Sequence, residues 1–327
     1  MITFDNSIIS TLLSSYKTPH TINGSTFYYL SKGGDGVVYK LNNMAIKIYT
    51  KIDMNIIVKE FYVFGLLKEL KCPNVVRMDD YYLSLSNPVI VMELMDGDLT
   101  QWCNNMVQNK ILTDVEFDNQ WLSMIFQVTY GLLFLNHLNI LHSDAKPKNI
   151  LYSDQDLDPY RYTINTNTYL VPMTNQFKIA DFGAVQILGS SSNKLTDFEI
   201  TDRINKRDDL HELSRIIYRL IVDRAITYYT WNHINDLLKH NPTYQKYHDQ
   251  QKQELSKLTK LPQKIRDNML LRSMIYYAVE NEIIHQDDII KRHSLRLPSS
   301  NVTRILDNLT NLTIKNVFDL FTMFKQS

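Results

Sequence analysis

Cysteine is nearly missing from this 327-residue chain: Cys72 and Cys103 are the only two, and neither stands in a metal-ligand spacing. A disulfide scaffold is therefore excluded as an organising principle, and a reducing setting is expected. Net charge is missing too, since 35 Lys and Arg balance 35 Asp and Glu. No bulk positive field draws the chain to nucleic acid or to an anionic membrane, so no nucleic-acid partner is expected. No uninterrupted apolar run approaches the roughly 18 residues of a membrane span. The first residues, "MITFDNSIISTLLSSY", lack the basic leading segment of a secretory signal. The expectation is a soluble, intracellular, cytoplasmic protein, in which the four Asn-x-Ser/Thr matches at Asn23, Asn301, Asn308 and Asn311 are chance. There is no internal repeat. What is present, 44% hydrophobic and 21% charged residues, describes an ordinary globular chain long enough for one large core or two lobes.

The first third reads as strands with one helix. Phe27 to Leu30, Val37 to Leu41 and Met44 to Tyr49 are rich in β-branched and aromatic residues, with Asn42-Asn43 suited to a tight turn. Ile56, Ile57, Val63, Phe64, Leu67 and Leu70 recur at helical spacing, which predicts a helix over 54–70 ending before Pro73. Strands follow at Tyr81 to Leu85 and Val89 to Met92. From about residue 99 the pattern is mainly helical. Phe117, Trp121, Ile125, Val128, Leu132 and Leu135 share one face of a helix over 117–138. The stretch 153–176 is polar and turn-rich, an extended hairpin or surface insertion. Residues 188–197, "LGSSSNKLTD", read as a mobile loop. Helices are expected over 209–222 and 264–285, the polar stretch near 233–265 is expected to be a solvated surface, and a final helical stripe from Ile305 to Phe324 is expected to be core.

Four short pieces carry chemistry. In "LSKGGDGVVYK", Gly33 and Gly36 lie between two strands, where missing side chains let backbone N–H groups approach phosphate oxygens. In "MAIKIY", Lys47 interrupts an apolar strand on the face opposite Ile46 and Ile48, so its charge needs an anionic partner, for which Glu60 on the next helix is a candidate. "NILHSDAKPKNILY" holds a polar loop between two apolar runs. "FKIADFGAVQI" places Asp181 after an apolar strand with Gly183 to permit a turn. Asp144, Asn149 and Asp181 are the oxygen donors and proton acceptor that Mg²⁺ and phosphoryl transfer require. Taken singly, each piece also fits a plain turn or a solvated surface charge. Their order weighs more than any one of them.

In that order the chain resembles the eukaryotic-type protein kinase superfamily over roughly residues 27–220. "SKGGDGVV" resembles the Gly-rich nucleotide loop, "MAIK" the Val-Ala-Ile-Lys strand and "HSDAKPKN" the His-Arg-Asp-Leu-Lys-Pro-x-Asn loop, while "DFG" is identical. The resemblance implies an α+β, bilobal fold: a small antiparallel-sheet lobe with one helix over 27–95, preceded by an extension over 1–26, and a larger, mainly helical lobe over 96–327. It implies ATP and Mg²⁺ as cofactors and a Ser/Thr-bearing protein as substrate, Lys146 favouring Ser/Thr over Tyr. Lys47 would bind the α- and β-phosphates with Glu60 holding its ammonium, Asp144 would accept the hydroxyl proton, and Lys146 would steady the γ-phosphate. Asn149 and Asp181 would bind Mg²⁺. Ser31, Gly33, Gly36, Val38 and Ala45 would enclose the nucleotide, the backbone of Glu93 and Met95 would meet adenine, and Asp98 the ribose. Asp209 would brace the catalytic loop.

The departures carry expectations of their own. Ser31 stands at the first glycine of the nucleotide loop and Asp35 at its usually aromatic tip. Ser143 replaces the arginine before the catalytic aspartate, which implies activity without activation-loop phosphorylation. No Ala-Pro-Glu lies between Asp181 and Asp209, so the segment that docks a peptide is shortened or rebuilt. In this the chain resembles divergent kinases of large DNA viruses, poxvirus-type virion kinases among them, for which host cytoplasm or virion is the expected location. Two other readings stay open: a kinase-fold scaffold that binds nucleotide without turnover, and a small-molecule kinase, against which the Lys146-Pro147 pair counts.

Overall fold

The computed structural model describes residues 4–83, 85–108, 111–155, 157–187, 209–226, 231–259, 263–281, 283, 299–309 and 314–326. Its first half is built on six antiparallel strands: β1 (His20–Ile22), β2 (Ser25–Lys32), β3 (Gly36–Leu41), β4 (Met44–Tyr49), β5 (Met78–Tyr82) and β6 (Val89–Glu93), in the spatial order β1-β2-β3-β4-β6-β5. Leu41 pairs with Met44 across Asn42-Asn43, and Asn42 takes the left-handed φ of 52° that this two-residue turn demands. β5 begins three residues before its sequence-based position. It is an edge strand, where the charged Asp79 and Asp80 are tolerated and obscure the apolar signal.

Strand alternation gives the sheet two apolar faces. Phe27, Val37, Tyr39, Ile46, Ile48, Val89 and Val91 bury one face together with Phe4 and with Ile8, Ile9 and Leu12 of helix α1 (Asn6–Ser14). The N-terminal stretch thus packs into the small-lobe core, and the Tyr39 hydroxyl donates to the Leu12 carbonyl at 2.5 Å. Helix α2 (Met54–Leu70) covers the other face with Ile57, Val63, Phe64 and Leu67. It starts at the Asp53 cap and stops at Lys71, whose φ is 47°, two residues before Pro73.

The second half centres on α4 (Asp114–His137), opened by a Thr113/Glu116 capping box and buried along most of its length. Around it lie α3 (Leu99–Gln108), α5 (Asp209–Ile226), α9 (Ser300–Leu309) and a 3₁₀ segment, Ile314–Phe324. Ile305, Leu306, Leu309, Val317, Phe321 and Phe324 join this core, as the apolar stripe predicts, with Leu320 partly buried against it and Val302 and Phe318 buried beside it. Helices α6 (Trp231–His240), α7 (Pro242–Ser256) and α8 (Gln263–Glu280) enclose a separate cluster around Tyr244, Met274 and Ile275, so the polar stretch near 233–265 packs one side and solvates the other. The "LGSSSNKLTD" loop and Leu312 lie outside the described residues.

Short strands frame the loops between the halves: β7 (Gly97–Asp98), β8 (Ile140–Leu141), β9 (Ile150–Ser153), β12 (Gln176–Ile179) and β13 (Gln186–Ile187). The stretch 153–176 is a hairpin of β10 (Leu157–Ile164) and β11 (Asn167–Met173), extended by a third strand, β14 (Lys325–Gln326). It is more than a surface insertion. Period-two alternation puts Tyr162, Ile164, Tyr169 and Val171 into the core against Phe126.

Candidate active site

Four of the sequence pieces converge where the sheet meets the helical half. Ile46 and Ile48 commit one face of β4 to the α1-side core, so Lys47 points the other way, under α2. Its Nζ donates to both carboxylate oxygens of Glu60, at 2.9 and 2.8 Å, and to Asp181 Oδ1 at 3.1 Å. Glu60 is 1% exposed, and such a carboxylate persists in a core only when paired. Burial alone would lower the Lys47 pKa, but Glu60 and Asp181 outweigh it and hold the ammonium above its ordinary range. For Asp181, burial pushes the carboxyl up, but the Lys47 charge and hydrogen bond, with Lys146 and His142 adding to them, together outweigh it, so it lies below its ordinary value.

Two features place Asp181. Its own φ of 68° turns the chain sharply, and the next side chain, Phe182, is fully buried between Phe64 of α2 and His142, edge-to-face at centroid distances of 5.2 and 5.7 Å. Gly183 then lets α2 settle, since a Cβ there would lie 2.9 Å from Ile56.

The polar loop between β8 and β9 is tied from below. The backbone N–H groups of His142 and Ser143 donate to the Asp209 carboxylate at 2.8 and 2.9 Å, and Asp209 is 3% exposed. His142 Nε2 donates to the Ala180 carbonyl at 3.1 Å, which ties the loop to the strand before Asp181. Ser143 takes a left-handed φ of 61° and presents Asp144 at the surface of the cleft. Asp144 Oδ2 accepts from Lys146 Nζ at 2.5 Å and from Asn149 Nδ2 at 3.0 Å. With its amide nitrogen so engaged, Asn149 keeps its carbonyl oxygen as a donor atom for a metal.

Above them, Gly33 N–H donates to the Gly36 carbonyl at 2.9 Å, closing the turn between β2 and β3. A Cβ on Gly36 would sit 2.4 Å from the Ile48 carbonyl oxygen, so only glycine permits this approach. Asp35, at the tip, accepts through its backbone carbonyl from the N–H groups of Thr50 and Lys51, linking the turn to the segment entering α2. Val38 pairs with Lys47 and Ala45 with Met92, while Ser31 pairs with Val38 and is exposed. At the other wall, the Glu93 carboxylate is engaged by Lys178 Nζ at 2.8 and 2.9 Å and by the Arg77 N–H at 2.7 Å. The Glu93 N–H donates to the Arg77 carbonyl at 3.1 Å. Met95 follows before β7. Asp98 Oδ1 accepts from the Gln101 N–H at 3.0 Å while Gln101 Oε1 accepts from the Asp98 N–H, so this carboxylate also starts α3.

Sequence reasoning missed several members. The Tyr49 hydroxyl donates to Glu60 Oε2, and its ring lies 4.9 Å from Lys47 Nζ. Burial, and next the Glu60 charge, push the phenol well above its ordinary range, so it stays a donor. The signal was there, because Tyr49 stands two residues after Lys47 on the same strand face. Tyr49→Phe keeps the ring and removes one donor to a buried carboxylate. Steady-state kinetics are expected to show kcat lower by about 3- to 10-fold with the ATP KM within about twofold, as for loss of one charge-assisted hydrogen bond. Phe64 was legible as an apolar position of its helix though not as the partner of Phe182, and Lys178 carried no comparable signal.

A lysine held by a buried glutamate and by a second carboxylate from the other half, and an Asp-Lys-Asn loop beside them, all between an antiparallel sheet and a helical half, define a kinase-type bilobal fold. Residues 29–204, more than half of the chain, match the family model of the protein kinase domain, and the chain belongs to that family. It is similar to the "Probable serine/threonine-protein kinase pXi" of Dictyostelium discoideum, 26% identical over 188 residues, which cover 57% of this chain. The chain spans 23% of the length of that relative. Among the described residues, no helix is long and apolar enough to cross a membrane.

Proposed function

We propose that this chain is an ATP-dependent protein kinase that transfers the γ-phosphoryl group to Ser or Thr hydroxyls of protein substrates. The observation that carries this reading is the assembled Lys47–Glu60–Asp181 pairing beside the Asp144 loop. In a kinase both the lysine–glutamate pair and the aspartate must be in place before phosphates can be held. The relative's printed name supports Ser/Thr as acceptor. In this reading residues 27–95 form the nucleotide-gripping lobe, 1–26 its extension and 96–327 the acceptor lobe.

Each group then has a task. Glu93 C=O and Met95 hold adenine, Asp98 the ribose, and Ser31, Gly33, Gly36, Val38 and Ala45 close over the nucleotide. Lys47, kept cationic by Glu60, binds the α- and β-phosphate oxygens, and Lys146 neutralises the γ-phosphate. Asp144 orients the acceptor hydroxyl and takes its proton as the oxygen attacks phosphorus; the bond to the β-phosphate oxygen breaks and ADP leaves with that charge. The Asp181 carboxylate and Asn149 Oδ1 are hard oxygen donors of the kind Mg²⁺ uses together with substrate phosphates, so the residues fit that ion. When bound, it spreads the phosphate charge. Catalysis is thus positioning and charge neutralisation. The test is Mg²⁺-dependent transfer of labelled γ-phosphate to generic protein acceptors, with phosphoserine or phosphothreonine as the expected product; ATP bound without turnover would favour a scaffold.

The assembled pair also supports independence from activation-loop phosphorylation. Ser143 offers no cation for a phosphate, while Asp209 already braces the loop backbone. Replacing Ser190, Ser191, Ser192, Thr196 and Thr201 together by Ala is expected to leave kcat/KM within about threefold, since no phosphate-dependent ion pair is lost. Abolished transfer would contradict it.

A further inference from the structure

The segment 71–76, which ties the end of α2 to β5, is more deeply held than a surface connection. Asn74 within it is fully buried, and its side-chain amide is completely partnered. Nδ2 donates to the Phe177 carbonyl at 2.9 Å and to Gln127 Oε1 at 3.2 Å, and Oδ1 accepts from the Tyr162 hydroxyl at 2.9 Å. Its backbone is zipped to β12: Ile179 N–H donates to the Asn74 carbonyl and Val76 N–H to the Ile179 carbonyl, both at 2.9 Å. Gly131 of α4 allows the approach, since a Cβ there would lie 2.7 Å from the Asn74 carbonyl oxygen. Ile179 stands two residues before Asp181, so one cluster holds both the base of α2 and the strand that delivers Asp181.

Of the side chains fixing Asn74, Gln127 comes from α4, but Tyr162 comes from the hairpin that lengthens the chain between β9 and β12. Tyr162 is 1% exposed, wedged against Phe126 and Tyr130 at 5.0 and 4.8 Å. The hairpin is in turn seated by β14 and by Phe318, which packs on Tyr169. We propose that Tyr162 is a positioning residue: through Asn74 it holds the base of α2, so that Glu60 stays aimed at Lys47 and the hairpin serves as a built-in brace for the active arrangement. This rests on the phosphoryl-transfer reading. Removing the hydroxyl would take from the buried Asn74 oxygen its one side-chain donor among the described residues, and the segment gains by loosening. A loosened base lowers the fraction of molecules with α2 in place, which lowers turnover.

The experiment compares the full chain with Tyr162→Phe and with Tyr160→Phe, a neighbour on the same hairpin that is 42% exposed. Steady-state phosphoryl transfer well below the melting temperature is expected to show kcat lower by about 3- to 10-fold in Tyr162→Phe with the ATP KM within about twofold. Hydrogen exchange over residues 64–79 is expected to quicken by about tenfold while α6–α8 stay unchanged, the mark of local opening. Tyr160→Phe should match the parent in both. Unchanged exchange over 64–79, or a uniform quickening across the chain, would overturn the brace. Should the parent itself transfer no phosphate, the kinase reading fails, and the exchange comparison still decides whether Tyr162 holds α2.

Discussion

Asp144→Asn is expected to lower kcat by roughly two to four orders of magnitude while ATP affinity stays within about twofold, as for loss of a general base that does not touch the nucleotide. The geometry explains the separation. The Asp144 carboxylate is engaged by Lys146 and Asn149 of its own loop, whereas Lys47, the lysine proposed to bind the phosphates, is engaged by Glu60 and Asp181. Asn is close in shape and can still accept from Lys146, so the loop keeps its form and only the proton acceptor is lost. Single-turnover transfer alongside nucleotide titration measures the two quantities apart. A loss of ATP affinity as large as the loss of rate would assign Asp144 to nucleotide binding instead.

Lys47→Met is expected to damage rate, affinity and stability together. It strips the cation from a carboxylate that is 1% exposed, leaving Glu60 with the Tyr49 hydroxyl as its remaining side-chain partner among the described residues. Breaking a buried ion pair at one end costs about 3–5 kcal/mol, more than the pair itself contributes, because the orphaned charge stays desolvated. Denaturant titration should show that loss. Lys47→Met combined with Glu60→Gln should recover about half or more of it, since the neutral amide no longer needs a cation, while transfer stays at least about a hundredfold down. Recovered activity in the double variant would remove Lys47 from the phosphate-binding role.

The same pairing sets a pH window. The Lys47 pKa is raised above 10.5, so its stabilising contribution is full below that value and fades only as pH rises through the folded one. The Asp181 pKa is depressed below 3.8, so its contribution is full above that value and fades as pH falls through the folded one. Between those limits the pair does not titrate. Any limb of a pH–rate profile inside the window therefore reports a different group.

Much of the candidate site was legible in the sequence, because its charged groups lie in short local contexts. Lys47 is aimed by its own strand period, Asp181 by the strand before it and the glycine after it, and the Asp144–Asn149 loop by the two apolar runs that pin it. The helices at 54–70 and 209–222 were equally readable from apolar spacing. Each of these depends on residues within a turn or two of one another, and local backbone preference decides them.

What required the tertiary structure depends on pairings between distant elements. Tyr162 and Asn74 stand 88 positions apart, and Lys178 and Glu93 stand 85 apart. No periodicity encodes such meetings, because they follow from how helices and strands pack, which Gly131 and Gly36 permit by giving up a side chain. The N-terminal stretch became part of the sheet's core for the same reason: α1 supplies the apolar cover that one face of the strands lacks. By itself the sequence determined which groups could do the chemistry and in what local frame. Only packing decided that α2 rests in the position where Glu60 meets Lys47, and that a hairpin from the other half of the chain holds it there.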